Sequence, residues 1–228
     1  MATKKTNKEI FTDIYTNNRW MCDESRSGLG STMPNTKLLR ESLSPLVNDL
    51  EVFCILDVGC GDHWWMRNML FETQVEFYMG YDVVGPLIDR NKKLYEVSNS
   101  VVFEQHDVVD PNVEMPGPDM IVCRDVMMHL SLADAEYLLN KVIASGARYL
   151  AATTFPSIKF PRKKENEEIE TGQWRPLNLR AWPFMLPQPI ESITENNPYR
   201  LHPPKELAIW DLDAIREGEI NLETAANI

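Results

Sequence analysis

The 228-residue sequence has no run approaching the ~20 consecutive apolar residues that a bilayer-spanning helix needs. Its first ten residues, MATKKTNKEI, lack the apolar core of a secretory signal. Cysteine is sparse: Cys22, Cys54, Cys60 and Cys123 form no C-x-x-C pair and have no His partner at zinc-ligand spacing. Most of them fall in apolar, strand-like runs, where a reduced thiol behaves as a small hydrophobe, so a reducing, cytoplasmic compartment is expected. Positive charge is also short. Lys and Arg number 23 against 34 Asp and Glu, a net charge of -11, and the basic clusters Lys4-Lys5 and Arg162-Lys163-Lys164 read as solvated ends or loop tips. Without a basic stripe, binding to bulk nucleic acid is not expected. No His/Asp cluster stands at close spacing, so no metal is expected, and no internal repeat is visible.

What is present fits one globular domain. Hydrophobic residues make up 43% and charged residues 25% of a length that supports a single well-buried core. From Val52 onward, apolar β-branched runs alternate with helical patterns. The strands expected are VFCILDVG, VEFYMGYDVV, VVFEQHDVV, DMIVCRDV and ARYLAATTF, near-continuously apolar as in a parallel sheet covered on both faces. Helices are expected from near His63, after Pro86 and after Ser131, where Ser131 can cap and Leu132, Ala135, Leu138, Leu139 and Val142 form one face. Two late segments, PIESITE and ELAIWDLDAI, fit an antiparallel edge pair. Such alternation implies right-handed βαβ crossovers and a doubly wound sheet. The expected organisation is residues 1–50 as a helical lid, 51–155 as the ligand-binding core, and 156–228 as an acceptor-side insertion and terminal strand pair, within one domain spanning 1–228.

In such a sheet the ligand binds beyond the carboxyl ends of the strands. The first strand ends Asp57-Val58-Gly59-Cys60-Gly61-Asp62, where glycines let a ligand approach the backbone. Asp82, about 20 residues on, stands where an acid accepts from both ribose hydroxyls. Asp107 is placed to accept from an adenine amino group, and Asp57 to order the turn or meet a cofactor amine. Each Asp could merely cap the next helix, but three in register at successive strand ends point to a nucleoside ligand. A dinucleotide is the rival on this fold. It asks for G-x-G-x-x-G, and Trp64 stands at the last glycine, followed by Trp65.

ILDVGCGD, YMGYDVV, FEQHDVVD and DMIVCRDVMMHL together resemble the successive motifs of class I S-adenosylmethionine (SAM)-dependent methyltransferases. The resemblance extends to one branch of bacteria and large DNA viruses through IYTNNRW, SRSGLGST, GCGDHWWM, CRDVMMHLS, ASGARYLAATTF, NEEIETGQWRPLNLRAWPF and ELAIWDLDAI, from about Phe11 to Ile215. It implies a Rossmann-like α/β fold: a seven-stranded, mostly parallel sheet with an antiparallel edge hairpin and helices on both faces. It also implies SAM as cofactor. Some members of that branch are associated with O-methylation of sugars, which implies a glycan or small-molecule acceptor. The branch usually carries Pro-Cys-Gly where Gly59-Cys60-Gly61 stands here.

The expected cofactor contacts are Asp57, Gly59, Cys60, Gly61, Asp82, Val83, Asp107, Val108, Cys123 and Arg124, with Trp20, Arg26 and Ser31 contributed by a lid that Gly28 and Gly30 let turn. An acceptor hydroxyl needs a base. His129, with its near-neutral pKa, and Asp125 are the candidates, and Asp125 could instead orient His129. Trp65, Trp174, Arg175 and Asn178 are the candidates for acceptor contact, although Trp174 and Trp182 could equally pin a loop to the sheet. Alternatives left open are a protein or other small-molecule acceptor and a SAM-binding protein without transfer activity. The oligomeric state is open.

Overall fold

The computed structural model describes residues 5–157, 166–198 and 202–218. The basic run Arg162-Lys163-Lys164 and Lys4 lie outside them. Helix α1 (Asn7–Thr16) opens with a capping box: Thr6 accepts from the Glu9 N–H, and the Glu9 carboxylate accepts from the Thr6 N–H. Helix α2 (Lys37–Asp49) follows, after a short 3-10 turn at Leu29–Ser31. Five parallel strands come next: β1 (Cys54–Val58), β2 (Phe77–Asp82), β3 (Val101–Gln105), β4 (Met120–Cys123) and β5 (Tyr149–Thr154). They are linked through α3 (Met66–Leu70), α4 (Gly85–Tyr95) and α5 (Leu132–Ala144). Strand β6 (Glu191–Glu195), β7 (Lys205–Asp211) and α6 (Leu212–Arg216) complete the described chain.

The sheet runs β3-β2-β1-β4-β5-β7-β6, and β7 is antiparallel to both of its neighbours. The order reverses between β1 and β4, which opens a crevice beyond their carboxyl ends. The period of two along a strand divides the apolar residues between two cores. Leu56, Ile121, Cys123, Leu150 and Ala152 join α5 and α6 on one face. Ile55, Met120, Val122, Tyr149 and Ala151 join α2, Met66 and Ile88 on the other. This two-sided burial explains the unbroken apolar runs.

Several expected boundaries move, each for a local reason. Helix α3 begins at Met66 rather than near His63, because His63 sits at φ +57°, outside helical space. Strand β4 stops at Cys123, because Asp125 turns the chain at φ +58°. The segment ELAIWDLDAI is only partly strand: the Asp211 side chain accepts from the Ala214 N–H and starts α6. Ser131 caps α5 as expected, accepting from Asp134 N–H at 3.1 Å. Among the described residues no helix is long and apolar enough to cross a membrane.

Trp210 on β7 is 1% exposed and donates its indole N–H to the Pro187 carbonyl at 2.9 Å. Replacing Trp210 by Ala removes a large buried ring and should cost about 3–5 kcal/mol in urea unfolding. Phe71→Ala, at a side chain 92% exposed, should change stability by no more than about 0.5 kcal/mol.

Candidate functional site

The turn after β1 is built on two glycines at positive φ, Gly59 at +71° and Gly61 at +54°. A Cβ on Gly59 would lie 2.4 Å from Val126 Cγ2, and one on Gly61 would lie 2.1 Å from Ser27 Oγ. Glycine is therefore required at both for backbone and steric reasons. The turn is fixed from three directions. Gly59 and Cys60 donate to the Tyr81 carbonyl at 2.8 and 3.0 Å. Asp82 accepts from the Gly61 N–H at 3.0 Å and from Val84 N–H at 3.0 Å. Buried Asn91 donates to the Gly61 carbonyl at 2.7 Å.

Asp62, the next residue, reaches the N-terminal segment. Its carboxylate accepts from the Arg26 N–H at 2.8 Å and from the hydroxyls of Ser25 and Ser27, while its own N–H donates to Ser27 Oγ. Asn7 of α1 donates to Asp107 at 3.4 Å. The N-terminal segment is thus stitched over the crevice.

The result is a cleft of about 1060 Å³. Of the expected cofactor contacts, Trp20, Arg26, Ser31, Asp57, Gly59, Cys60, Gly61, Asp82, Val83, Asp107, Val108 and Arg124 line it. Cys123 does not: it ends β4 with its side chain in the hydrophobic core, and burial pushes its thiol up to about 12. Phe11, Tyr15 and Leu87 also line the cleft and carried no signal beyond helical apolar spacing. Burial raises the Asp57 pKa to about 7 against the hydrogen bond from Tyr78 at 2.8 Å. Burial raises Asp82 as well, opposed by the backbone N–H groups of Val84, Gly61 and Val83. His63 packs beneath the turn among Tyr78, Tyr95 and Phe103, where burial lowers its pKa to about 3.

A second cleft of about 1690 Å³ adjoins the first, and Trp20, Ser27, Asp125 and His129 line both. Trp174 lines the second, stacked on His202 at 3.9 Å and edge-on to Phe155 at 6.1 Å. Trp65 instead lines the first cleft, its ring 5.1 Å from the Arg124 guanidinium. Arg175 and Asn178 line neither. Arg175 is buried, donating to the Leu130 carbonyl at 2.5 Å, and the Asn178 backbone bonds the Asn166 side-chain amide. Both therefore belong to the loop's own architecture, where Arg and Asn are invisible to a reading that scores them only as sugar-binding types.

On the shared wall, the His129 Nδ1 lies 2.8 Å from the Gln173 carbonyl. That oxygen only accepts, so Nδ1 carries the proton and Nε2 keeps its lone pair. Burial lowers the His129 pKa, opposed by the Gln173 bond and by the Asp125 charge. Asp125 is held by Lys205 at 2.8 and 3.1 Å and by Thr153, whose hydroxyl donates at 3.0 Å and accepts from the Asp125 N–H at 2.8 Å. Burial opposes its ionisation, but the charges of Lys205 and Arg124 outweigh that and hold its carboxyl far below the usual range. Glu195 and Lys205, from the late strand pair, are functional candidates that the motif reading missed. Among the described residues no group of three or more His, Cys, Asp or Glu could hold a metal ion.

A family profile described as a methyltransferase domain matches residues 31–165. No curated protein matches the chain. Similar solved structures include the methyltransferase domain of a bacterial Hen1, at TM-score 0.54 and 11% identity, covering 77% of this chain and 98% of that one. The magnesium protoporphyrin IX methyltransferase of Synechocystis PCC 6803 superposes at 0.51 with 14% identity, covering 69% and 80%. The N-methyltransferase NodS of Bradyrhizobium japonicum WM9 does so at 0.50 with 14% identity, covering 78% and 93%. The profile covers more than half of the sequence, and the sheet order and glycine turn agree with it: the chain belongs to the methyltransferase-domain family, with the class I fold whose methyl donor is S-adenosylmethionine.

Proposed function

We propose that the chain transfers a methyl group from SAM, held in the first cleft, to a hydroxyl of a sugar-bearing acceptor in the second. One observation carries the reading: Trp20, Ser27, Asp125 and His129 form a wall common to both clefts, so a donor and an acceptor bound there would meet at His129.

The donor set of the first cleft fits SAM. Asp57, Asp62, Asp82 and Asp107 line it against Arg26, while Asp125 and Arg124, which also line it, are compensated by Lys205 and Glu195. Such a surface suits a cationic ligand rich in hydroxyl and amine donors and opposes a pyrophosphate. Asp82 would accept from the ribose hydroxyls, Asp107 from the adenine amine, and Asp57 would order the turn or meet the amino group. Trp20, Arg26 and Ser31 would close over them as a lid. When bound, SAM supplies an electrophilic methyl carbon.

The chain's own residues then have two tasks. The clefts align acceptor oxygen and methyl carbon, positioning that can be worth about 7–11 kcal/mol. His129 Nε2 takes the hydroxyl proton, a contribution of about 10²–10⁴-fold. Asp125 stays anionic and stabilises the imidazolium rather than serving as the base, since its carboxyl is held far below the usual range. The sugar assignment draws on the rim: Trp20 offers an aromatic ring for C–H surfaces, while Gln173, Asp13 and Arg19 offer hydrogen bonds to hydroxyls.

Labelled methyl transfer from SAM, screened across mono- and oligosaccharides, amines and peptides, tests the reading. Methylation of amines or peptides with none on sugar hydroxyls would overturn the acceptor class. Binding without transfer to any of them would favour a SAM-binding protein. Asp82→Ala should weaken S-adenosylhomocysteine binding about 10–100-fold by calorimetry, the loss of one or two charge-assisted hydrogen bonds. His129→Gln should leave that binding within about twofold and slow transfer by the ~10²–10⁴ range of a lost base. Because burial lowers the His129 pKa, the base form persists into mild acid. The acid limb of kcat/KM should therefore fall below pH 6.5, with activity lost as pH drops through it. A limb above that value would remove His129 from the role.

A further inference from the structure

Three buried charged side chains and the partly buried Asp125 cluster where the carboxyl end of β4 meets the β6–β7 pair. Arg124 is 3% exposed, Lys205 6%, Glu195 0% and Asp125 24%. Glu195 ends β6 and Lys205 begins β7, and the two are cross-strand partners. Because β7 runs against the rest of the sheet, its first residue arrives at the edge where the parallel strands end. Glu195 Oε2 accepts from Arg124 Nε at 2.8 Å and Nη2 at 2.5 Å, with Lys205 Nζ at 3.4 Å. Lys205 then spans both oxygens of Asp125.

Two cations and two anions balance, and that balance makes burial tolerable. A purely structural ion cluster, however, has no reason to end on the wall between the clefts. Asp125 stands there at φ +58°, a conformation that a non-glycine residue adopts only when its surroundings hold it. Among the described residues its carboxylate is hydrogen-bonded by Lys205 and Thr153 and ion-paired with the more distant Arg124 guanidinium at 3.5 Å.

We propose that Lys205, itself seated by Glu195, is a positioning residue for methyl transfer: it fixes the Asp125 carboxylate on the wall that Asp125 shares with His129. The inference rests on the reading of His129 as base. When His129 takes a proton, the imidazolium needs a fixed anion, and a carboxylate pinned at both oxygens costs no reorganisation at that moment. The charged groups acting on His129 are Asp125 from its own segment, Arg175 from the following loop and Lys205 from β7. Lys5, Asp13, Arg19 and His202 line the same cleft.

The test is the charge-balanced variant Lys205→Met/Glu195→Gln, which removes one cation and one anion. It should melt close to the wild type and bind S-adenosylhomocysteine within twofold. Its transfer kcat should fall tenfold or more with KM little changed. In NMR of histidine-labelled protein with S-adenosylhomocysteine bound, and with the signal assigned by His129→Gln, the His129 titration midpoint should rise. The direction follows from deleting a nearby cation. Thr153→Val, which frees the carboxylate's other anchor and leaves every charge in place, keeps the question decidable if the double variant does not fold. It should show the same kcat loss at unchanged S-adenosylhomocysteine affinity. Wild-type kcat, or an unmoved His129 midpoint, in the folded double variant overturns the inference, as does full transfer by Thr153→Val. These results are distinct from failure of the base reading, which would show as undiminished transfer by His129→Gln.

Discussion

Everything at this site depends on one backbone turn that only glycine can make. At Gly59 and Gly61 the chain enters the left-handed region, and a Cβ added there would lie 2.4 Å from Val126 and 2.1 Å from Ser27. The turn has no bulk of its own to hold its shape, so its neighbours hold it: the Tyr81 carbonyl, the Asp82 carboxylate and the Asn91 amide. Asp82 therefore braces the turn with backbone bonds and also lines the cleft. Asp62 extends the same turn into the N-terminal segment, so the floor and the cover of the cleft are tied to one stretch of four residues.

The core of the fold was legible because parallel strands buried on both faces leave unbroken apolar runs, and these strands alternate their residues between two hydrophobic clusters. The acids at the strand ends were legible because the topology places every such tip at one edge. Legibility failed where side chains from distant segments combine. Glu195 and Lys205 read as ordinary charges in a polar strand pair, and only the antiparallel register sets them against Arg124 and Asp125. Arg175 and Asn178 failed in the opposite way. Their residue types suggested hydroxyl recognition, yet Arg175 is 2% exposed and the Asn178 side-chain oxygen accepts from the Arg180 N–H, and neither lines a cleft. Burial of a polar side chain in a loop leaves no periodic trace in the sequence.

The electrostatics divide the site into two regimes. The first cleft is an acidic surface whose carboxylates are raised by burial, as at Asp57 and Asp82, and it gains from a positively charged occupant. The wall beyond it is internally neutral: Arg124, Lys205, Asp125 and Glu195 compensate one another, and Asp125 stays ionised. A positively charged occupant suits the one side, and on the other the His129 ring, protonated on Nδ1 against the Gln173 carbonyl, keeps its lone pair on Nε2.

The long reach of the N-terminal contacts has a consequence for how the molecule is made. Asn7 bonds Asp107, the Gly30 carbonyl accepts from Arg124 at 2.9 Å, and Gly30 also lies beside Lys205. Along the chain, Arg26 meets Asp62 36 residues on, whereas Gly30 meets Arg124 only 94 residues later and Asn7 meets Asp107 only 100 residues later. During synthesis the cover can therefore dock on the glycine turn early, but its seal against β4 and the β3 end is complete only once Arg124 and Asp107 have been made.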